Sequence, residues 1–202
     1  MKKILTMIMV IGITTGLVIG CASGPDTEEE NGSQAGEPGI YHVEIEIAGY
    51  GTISLELDST YAPITVANFI GLVEEGFYDG LTFHRIIDGF MMQGGDPLGT
   101  GMGGSGENIK GEFESNGVHN PMSHTRGTIS MARAQDPDSA SSQFFIMHQD
   151  GLFLDPDYAA FGRVTSGMEI VDQICEGTPV QDVNGTVARN DQPVITSIRI
   201  VN

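Results

Sequence analysis

The clearest pattern along the chain is an alternation of apolar and polar side chains in two short runs, 41–47 and 52–57. A turn-like stretch that contains Gly49 and Gly51 separates the runs. A period of two is typical of a strand with one face on a core and the other in water. The pattern predicts an antiparallel hairpin with one wet face.

Two later segments, 63–75 and 167–177, repeat apolar residues at helical spacing. Pro63 is tolerated in a first helical turn, and Gly76 is a typical stop signal. On each segment four side chains share a face: Val66, Phe69, Ile70 and Val73 on the first, and Met168, Val171, Ile174 and Cys175 on the second. We therefore predict two amphipathic helices.

The rest of the chain carries short apolar runs that Gly, Pro and Asp clusters interrupt. These runs are 81–87, 90–93, 127–131, 143–147, 159–164 and 194–201. Many short strands with two helices favour a mainly β domain, a closed or nearly closed barrel whose ends the helices cover.

The size of the chain indicates how many domains it forms, and its charge indicates which partners it does not bind. The 202 residues are enough for one sizeable core, and we expect one folded domain. Only nine Lys and Arg stand against 27 Asp and Glu, which gives a formal charge of -18. Phosphate binding needs clustered cations, so this charge argues against a nucleic-acid partner.

The first twenty residues have the pattern of an export signal. Lys2 and Lys3 precede an apolar run over 4–20. The run ends Val18-Ile19-Gly20-Cys21, which resembles a bacterial lipobox. The resemblance implies a signal peptide over 1–20 and a mature chain that acyl chains, palmitate among them, anchor through Cys21. The alternative is an uncleaved membrane helix, for which the run is short.

The segment 21–39 is rich in Ser, Gly, Pro, Glu and Asn and has almost nothing to bury. Such a composition predicts a disordered acidic linker. The folded domain would then be 40–202. We expect an extracytoplasmic protein on the outer face of the plasma membrane, or on the outer membrane of a Gram-negative cell.

The residues that most often carry covalent or metal chemistry form no recognisable site. With Cys21 lipidated, Cys175 has no disulfide partner, and its helical position predicts a buried, unreactive thiol. Ser130 and Ser142 lack a nucleophile elbow. The five histidines show no tight ligand spacing, so no metal is expected: His42, His84, His119, His124 and His148.

The segment 83–96 is the most informative one. Read as two strands, it can place Arg85, Ile87, Met91 and Gln93 on one side, which joins a cation, a polar amide and apolar surface. On the residues alone, a structural arginine at the barrel edge, paired with one of the many carboxylates, is the alternative.

Four ordered motifs resemble the signature set of the cyclophilins. They read FHRIIDGFMMQGGD (83–96), SMARA (130–134), SQFFI (142–146) and FG (161–162). The resemblance covers 41–202. It implies a closed eight-stranded antiparallel barrel capped by two α-helices, and peptidyl-prolyl cis/trans isomerase activity without a cofactor.

The resemblance also assigns roles by position. Arg85 would be the catalytic guanidinium, with Gln93 beside it, and Phe90, the third catalytic position, would line the proline pocket. Phe153 stands where the family often has tryptophan, and Tyr158 where it has a pocket histidine; we expect activity to survive and cyclosporin binding to weaken. The remaining substrate-binding positions are Met91, Phe145 and Leu154 in the proline pocket, and Gly101, Ala132, Arg133, Ala134 and Gln143 in the adjoining groove.

Three functions remain open from the sequence. The first is a monomeric isomerase that acts on proline-containing exported or cell-envelope proteins and assists their folding. The second is a binding module in which the same groove captures proline-containing loops. The third, metal-dependent chemistry, would fail in the presence of a chelator.

Overall fold

The computed structural model describes residues 38–201. The predicted signal peptide, the lipidated Cys21 and nearly all of the predicted linker lie outside the described residues. The elements in chain order are β1 Ile40–Ile47, β2 Gly51–Asp58, α1 Pro63–Glu74, β3 Thr82–Ile87, β4 Met91–Asp96, β5 Thr128–Met131, β6 Phe144–Met147, β7 Ala160–Ser166, α2 Met168–Gly177 and β8 Ile195–Val201. The predicted elements are all present, with ends shifted by a few residues at most.

The first hairpin forms as the alternation predicts. β1 and β2 pair antiparallel, and Val43 lies opposite Leu55 while Ile45 lies opposite Ile53. All four side chains are buried, whereas Glu44 between them is exposed. The period of two has therefore put one face of the hairpin on the core.

The eight strands form one sheet in the order β3-β4-β6-β5-β7-β2-β1-β8, with β3 and β8 at its edges. The sheet curls through 236° and is an open half-barrel. The prediction of a closed eight-stranded barrel is therefore wrong, although the mainly β class and the two helices are confirmed.

The two edges of the sheet meet only briefly. Ile195, the first residue of β8, donates its N–H to the carbonyl of Leu81 at 2.8 Å and accepts a bond from the N–H of Gly80 at 2.8 Å, and two local features end the pairing beyond this point. The N–H of Phe83 donates to the carbonyl of Pro193 at 3.0 Å, but proline has no N–H with which to complete the pair. Farther along β3, the N–H of Ile86 donates to the carbonyl of Gly185 at 2.8 Å. A loop therefore covers this part of the β3 edge in place of β8.

A residue distant in the chain caps α1. Ala62, at the N-cap position, offers no side-chain hydrogen bond. The buried carboxylate of Glu112 instead accepts bonds from the N–H of Ile64 at 3.0 Å, the N–H of Thr65 at 2.7 Å and the Thr65 hydroxyl at 2.7 Å. Since Pro63 has no N–H, this carboxylate completes the hydrogen bonding of the first turn.

The sheet separates two apolar clusters. The main core lies between the sheet and the helices, with α1 over β8 and β2, and α2 over β2 and β4. A smaller cluster joins Met91, Phe145, Met147 and Leu154. Because Met92 belongs to the main core and Met91 to the small cluster, the two clusters lie on opposite faces of β4.

Cys175 is a buried free thiol on α2. Burial is the largest cause that raises its pKa to about 12. The prediction of a buried cysteine is confirmed, and the raised pKa keeps the thiol protonated at neutral pH, as expected of an unreactive cysteine.

Among residues 38–201, neither helix has the length and the apolar character needed to cross a membrane.

Candidate functional site

The predicted catalytic side chains lie on the sheet face that bears the small apolar cluster. β3 and β4 pair Arg85 with Gln93 and Ile87 with Met91, and β4 and β6 pair Gln93 with Phe145. The four side chains predicted to share one side therefore do so. Arg85, Gln93 and Phe145 stand side by side on three adjacent strands.

The Arg85 guanidinium is held from two sides. Its Nε donates to the carbonyl of Asn184 at 2.9 Å, and its Nη1 donates to Gln93 Oε1 at 3.2 Å. Within residues 38–201, no carboxylate lies within 4 Å of the guanidinium. This part of the structure therefore does not support the alternative of an edge arginine that is paired with a carboxylate. Burial is the largest influence on its pKa and lowers it, but a guanidinium starts high enough to stay charged.

A cavity of about 300 Å³ opens beside this guanidinium. Its floor and walls are mostly apolar, and Phe145 meets Tyr158 edge to face with ring centroids 5.9 Å apart. Phe90 stacks on Phe153 at 5.7 Å, and Phe153 remains 71% exposed at the rim. Ten predicted site residues line the cavity: Arg85, Phe90, Met91, Gln93, Ala132, Arg133, Phe145, Phe153, Leu154 and Tyr158.

A second, more polar cavity of about 490 Å³ adjoins the first. The two share Gln93, Ala132 and Arg133 in their linings. The remaining three predicted site residues, Gly101, Ala134 and Gln143, line this second cavity. The structure thus brings all thirteen predicted site residues of the folded domain to one continuous surface; their roles remain predictions.

Hydrogen bonds connect the predicted catalytic side chains to the wall of the second cavity. Gln93 Nε2 donates to Gln143 Oε1 at 2.9 Å, and Gln143 Nε2 donates to the carbonyls of Gly101 at 3.1 Å and Gly103 at 2.8 Å. Because each amide is tied at both ends, the oxygen of Gln93 faces Arg85. The guanidinium is oriented before any ligand arrives.

The carboxylate of Asp96 organises the loop that carries Gly101. It is buried and accepts bonds from the backbone N–H groups of Leu98 at 2.8 Å, Thr100 at 2.9 Å and Gly101 at 2.6 Å. Burial raises the pKa of this carboxyl, yet the N–H donors outweigh burial and lower it overall. Asp96 is a supporting residue that the sequence patterns did not reveal.

A buried histidine supports the wall formed by Phe145. The ring of His124 stacks on Phe145 with centroids 5.9 Å apart. Its Nδ1 lies 2.8 Å from Asp155 Oδ1, and its Nε2 lies 2.9 Å from the buried Ser130 hydroxyl. The sequence patterns gave no sign of this support from His124.

Buried histidines predict a loss of stability in mild acid. Burial is the largest influence on the pKa of His124 and of His84, and it lowers both. The unfolded chain therefore binds these protons first as the pH falls. The stabilising contribution is complete above about pH 6.5 and declines as the pH drops toward the lower folded pKa. We expect the melting temperature to fall by roughly a few degrees between pH 7 and 5.

Melting curves of His124→Gln and of the matched variant His42→Gln test this expectation, since His42 is exposed on β1. His124→Gln should flatten the decline and His42→Gln should not. Asp155 and the other carboxyls with lowered pKa act below about pH 4, outside this window. Equal slopes in all three proteins would contradict the assignment.

Two further possibilities considered from the sequence were a nucleophilic Ser142 and a metal site. The buried Ser142 hydroxyl donates to the carbonyl of Gly95 at 2.8 Å, which agrees with a packing role. Among residues 38–201, no group of three or more His, Cys, Asp or Glu side chains is placed to hold a metal ion.

Comparison with known proteins adds a family to this geometry. Residues 42–202 match the family model for the cyclophilin type peptidyl-prolyl cis-trans isomerase/CLD. The chain is 49% identical to peptidyl-prolyl cis-trans isomerase B of Bacillus subtilis over 131 aligned residues. The aligned region covers 65% of this chain and 88% of the relative. The chain is 47% identical over 135 residues to a peptidyl-prolyl cis-trans isomerase of Helicobacter pylori, which covers 66% and 80%.

Solved structures agree with these relatives. A cyclophilin type peptidyl-prolyl cis-trans isomerase of Cryptosporidium parvum superimposes with a TM-score of 0.71 at 31% identity, over 81% of this chain and 99% of that one. A structure of the same protein in the presence of the dipeptide Ala-Pro gives a TM-score of 0.70 at 32% identity, over 80% and 99%.

Proposed function

Because this chain belongs to the cyclophilin family and is a peptidyl-prolyl cis/trans isomerase, we propose that it acts on Xaa-Pro bonds of exported or cell-envelope proteins and assists their folding from a lipid anchor at Cys21. In the proposed mechanism Arg85 is the catalytic residue. The observation that carries it is the position of the Arg85 guanidinium on the wall of an apolar cavity beside Phe145.

The reaction asks for stabilisation of a twisted amide. Rotation about a peptide bond faces a barrier of about 18–20 kcal/mol because the C–N bond is partly double. A turnover of about a thousand per second corresponds to a barrier of about 13 kcal/mol, so the protein must remove on the order of 6 kcal/mol. Rotation breaks no covalent bond and transfers no proton, so a nucleophile is not required.

Arg85 supplies an interaction that is stronger in the transition state. As the bond twists, the proline nitrogen regains a lone pair, to which a guanidinium N–H can donate. Nε and Nη1 are already bonded within the protein, whereas Nη2 makes no hydrogen bond within residues 38–201. We assign Nη2 to the proline nitrogen and Gln93 to the orientation of the guanidinium.

The apolar cavity supplies the part of the barrier reduction that Arg85 does not. One preorganised charged donor contributes roughly 2.7–4 kcal/mol, which is less than the reaction needs. Met91, Phe145 and Leu154 are buried and give the proline ring a dry slot, with Phe90 and Phe153 at its rim. Held there, the ring stays fixed while the preceding carbonyl rotates, and the planar amide loses water that would stabilise its dipole.

The anchor follows from the amino-terminal sequence. The basic start, the apolar run and the lipobox-like ending at Cys21 together support export and lipidation. Two or more acyl chains on one residue are enough for stable anchoring, since each buried methylene contributes about 0.8 kcal/mol. We further propose that the protein works as a monomer, because residues of one chain line the whole candidate site.

The anchor is tested by mass spectrometry and fractionation of the protein expressed in a bacterial host. The mature chain should begin at a lipid-modified Cys21 and sediment with membranes. Cys21→Ser should release it, and the matched variant Cys175→Ser should stay membrane-bound because that thiol is buried. Recovery of mature protein that retains Met1 would overturn both anchor and compartment.

The folding role is tested on an exported protein whose refolding is limited by an Xaa-Pro bond. Such phases take about 10–100 s at 25 °C without a catalyst. The purified chain should shorten the phase in proportion to its concentration, and Arg85→Ala should not. Binding of the client without any change in rate would favour the binding-module alternative.

A further inference from the structure

The arginines of the described residues fall into two groups. Three lie away from the candidate site, and each pairs with a carboxylate: Arg126 with Asp172 at 2.7 Å, Arg163 with Glu56 at 3.0 Å and Arg199 with Asp79 at 2.8 Å. The other three, Arg85, Arg133 and Arg189, have no carboxylate within 4 Å among residues 38–201. In a chain of formal charge -18, cations without a carboxylate partner are unexpected.

Arg133 is a fixed charge. Its guanidinium lies over the ring of Tyr158 at 4.8 Å and over that of Phe113 at 5.2 Å. Its Nε donates to the carbonyl of Asp157 at 2.8 Å, and its Nη1 donates to the carbonyl of Ala134 at 3.0 Å. Ring faces and carbonyls hold the group in place but leave its full positive charge, and little side-chain entropy remains to be lost on binding.

The nearby carboxylates are occupied elsewhere. Asp157 Oδ1 accepts a bond from the Ser115 hydroxyl at 2.7 Å, and Asp138 Oδ1 accepts one from Asn116 Nδ2 at 2.7 Å. Asp136 Oδ1 likewise accepts the N–H of Asp138 at 2.9 Å, and among residues 38–201 no carboxylate lies within 4 Å of the Arg133 guanidinium. The cation is therefore left for a ligand.

Arg133 also lies where a bound polypeptide must pass. It lines both cavities, and with Gln93 and Ala132 it forms their common boundary. A chain whose proline occupies the apolar cavity runs past Arg133 as it enters the larger one. We propose that Arg133 is a specificity-determining residue that makes this isomerase favour prolines with an acidic side chain within two residues.

The inference rests on the proposed use of the two cavities as the substrate site. The negative charge of the whole protein acts against binding of acidic peptides. The net negative charge repels acidic peptides, but at physiological ionic strength this repulsion is screened beyond about 8 Å. A carboxylate in contact with the guanidinium is much closer than that. The contact therefore decides between neighbouring sequences, whereas the overall charge affects them nearly equally.

The test measures kcat/KM of the purified full chain on paired peptides in which Glu or Gln stands one or two residues before the proline, or one residue after it. In at least one position we expect kcat/KM for the Glu peptide to be about three times that for the Gln peptide, as for a partly exposed ion pair. The difference should appear mainly in KM. Arg133→Gln should bring this ratio close to one. Arg133→Lys should keep most of it, and Arg163→Gln, which removes the same charge from a side chain that lines neither cavity, should keep all of it.

Several outcomes would overturn the inference. These are a ratio near one at every position in the unaltered protein, a preference that survives Arg133→Gln, and an equal loss on both peptides in that variant, which would mark Arg133 as structural. The Gln peptides report isomerase activity by themselves, so a failure of the proposed function is seen separately. Salt provides a check without any variant, because a real contact preference must shrink toward about 1 M, where screening acts within about 3 Å.

Discussion

Replacing Arg85 with alanine is expected to lower kcat/KM for prolyl isomerisation by about 100- to 1,000-fold, the usual effect of removing one preorganised charged donor. The loss should appear mainly in kcat, because the proline nitrogen accepts the bond only when the amide is twisted. Peptide affinity should change little, since the apolar cavity remains. Exchange NMR on a neutral Ala-Pro peptide measures both quantities.

Two further variants sharpen this result. Arg85→Lys keeps a cation but loses the fork that bonds Asn184 and Gln93 together, so an intermediate rate is expected. Arg163→Ala removes an exposed arginine of β7 that pairs with Glu56, and should leave the rate unchanged. If Arg85→Ala isomerises as fast as the unaltered protein, the catalytic assignment is wrong and the groove is better described as a binding surface.

Replacing Glu112 with alanine is expected to cost about 3–6 kcal/mol of unfolding free energy, since hydrogen bonds to charged groups contribute about 1.5–3 kcal/mol each and two N–H groups lose their partner. For a domain of this size the melting temperature should fall by roughly 10 °C. Glu112→Gln keeps one acceptor oxygen and should lose about half as much. Calorimetry or thermal circular dichroism gives the values.

Glu114 is the matched control for this experiment. It lies two residues further along, and its pairing with His119 at 3.3 Å is between exposed side chains. Glu114→Ala should therefore change the unfolding free energy by less than about 0.5 kcal/mol. A Glu112→Ala protein that melts within a degree of the unaltered one would show that α1 does not depend on this long-range cap.

The open edge of the sheet is the feature of the fold that sequence patterns did not predict. Alternation, helical spacing and short apolar runs bounded by Gly, Pro and Asp placed the ten strands and helices, because all three depend on neighbours within a few residues. Closure of the barrel depends on how the two edge strands meet. There Pro193 lacks an N–H, and Gly185 takes up the N–H of Ile86. Neither effect has a periodic signal.

The candidate site divides in the same way. Arg85, Met91 and Gln93 were assigned to one face from the period of two alone, and the register of β3 and β4 confirms it. The positions named from the cyclophilin resemblance all reach the two cavities. What the sequence missed are supporting contacts: the Asn184 carbonyl on Arg85 and the His124 ring behind Phe145.

The sequence by itself thus determined the elements, the faces that their side chains occupy and the family to which the chain belongs. The tertiary structure alone decided that the sheet stays open, that Glu112 caps a helix 47 and 48 residues away, and that no carboxylate among residues 38–201 lies within 4 Å of Arg133. The physical reason is the separation along the chain between the residues that interact. Periodicity records which side of an element is buried, whereas hydrogen bonds and charge pairing between distant segments exist only once the chain has brought them together.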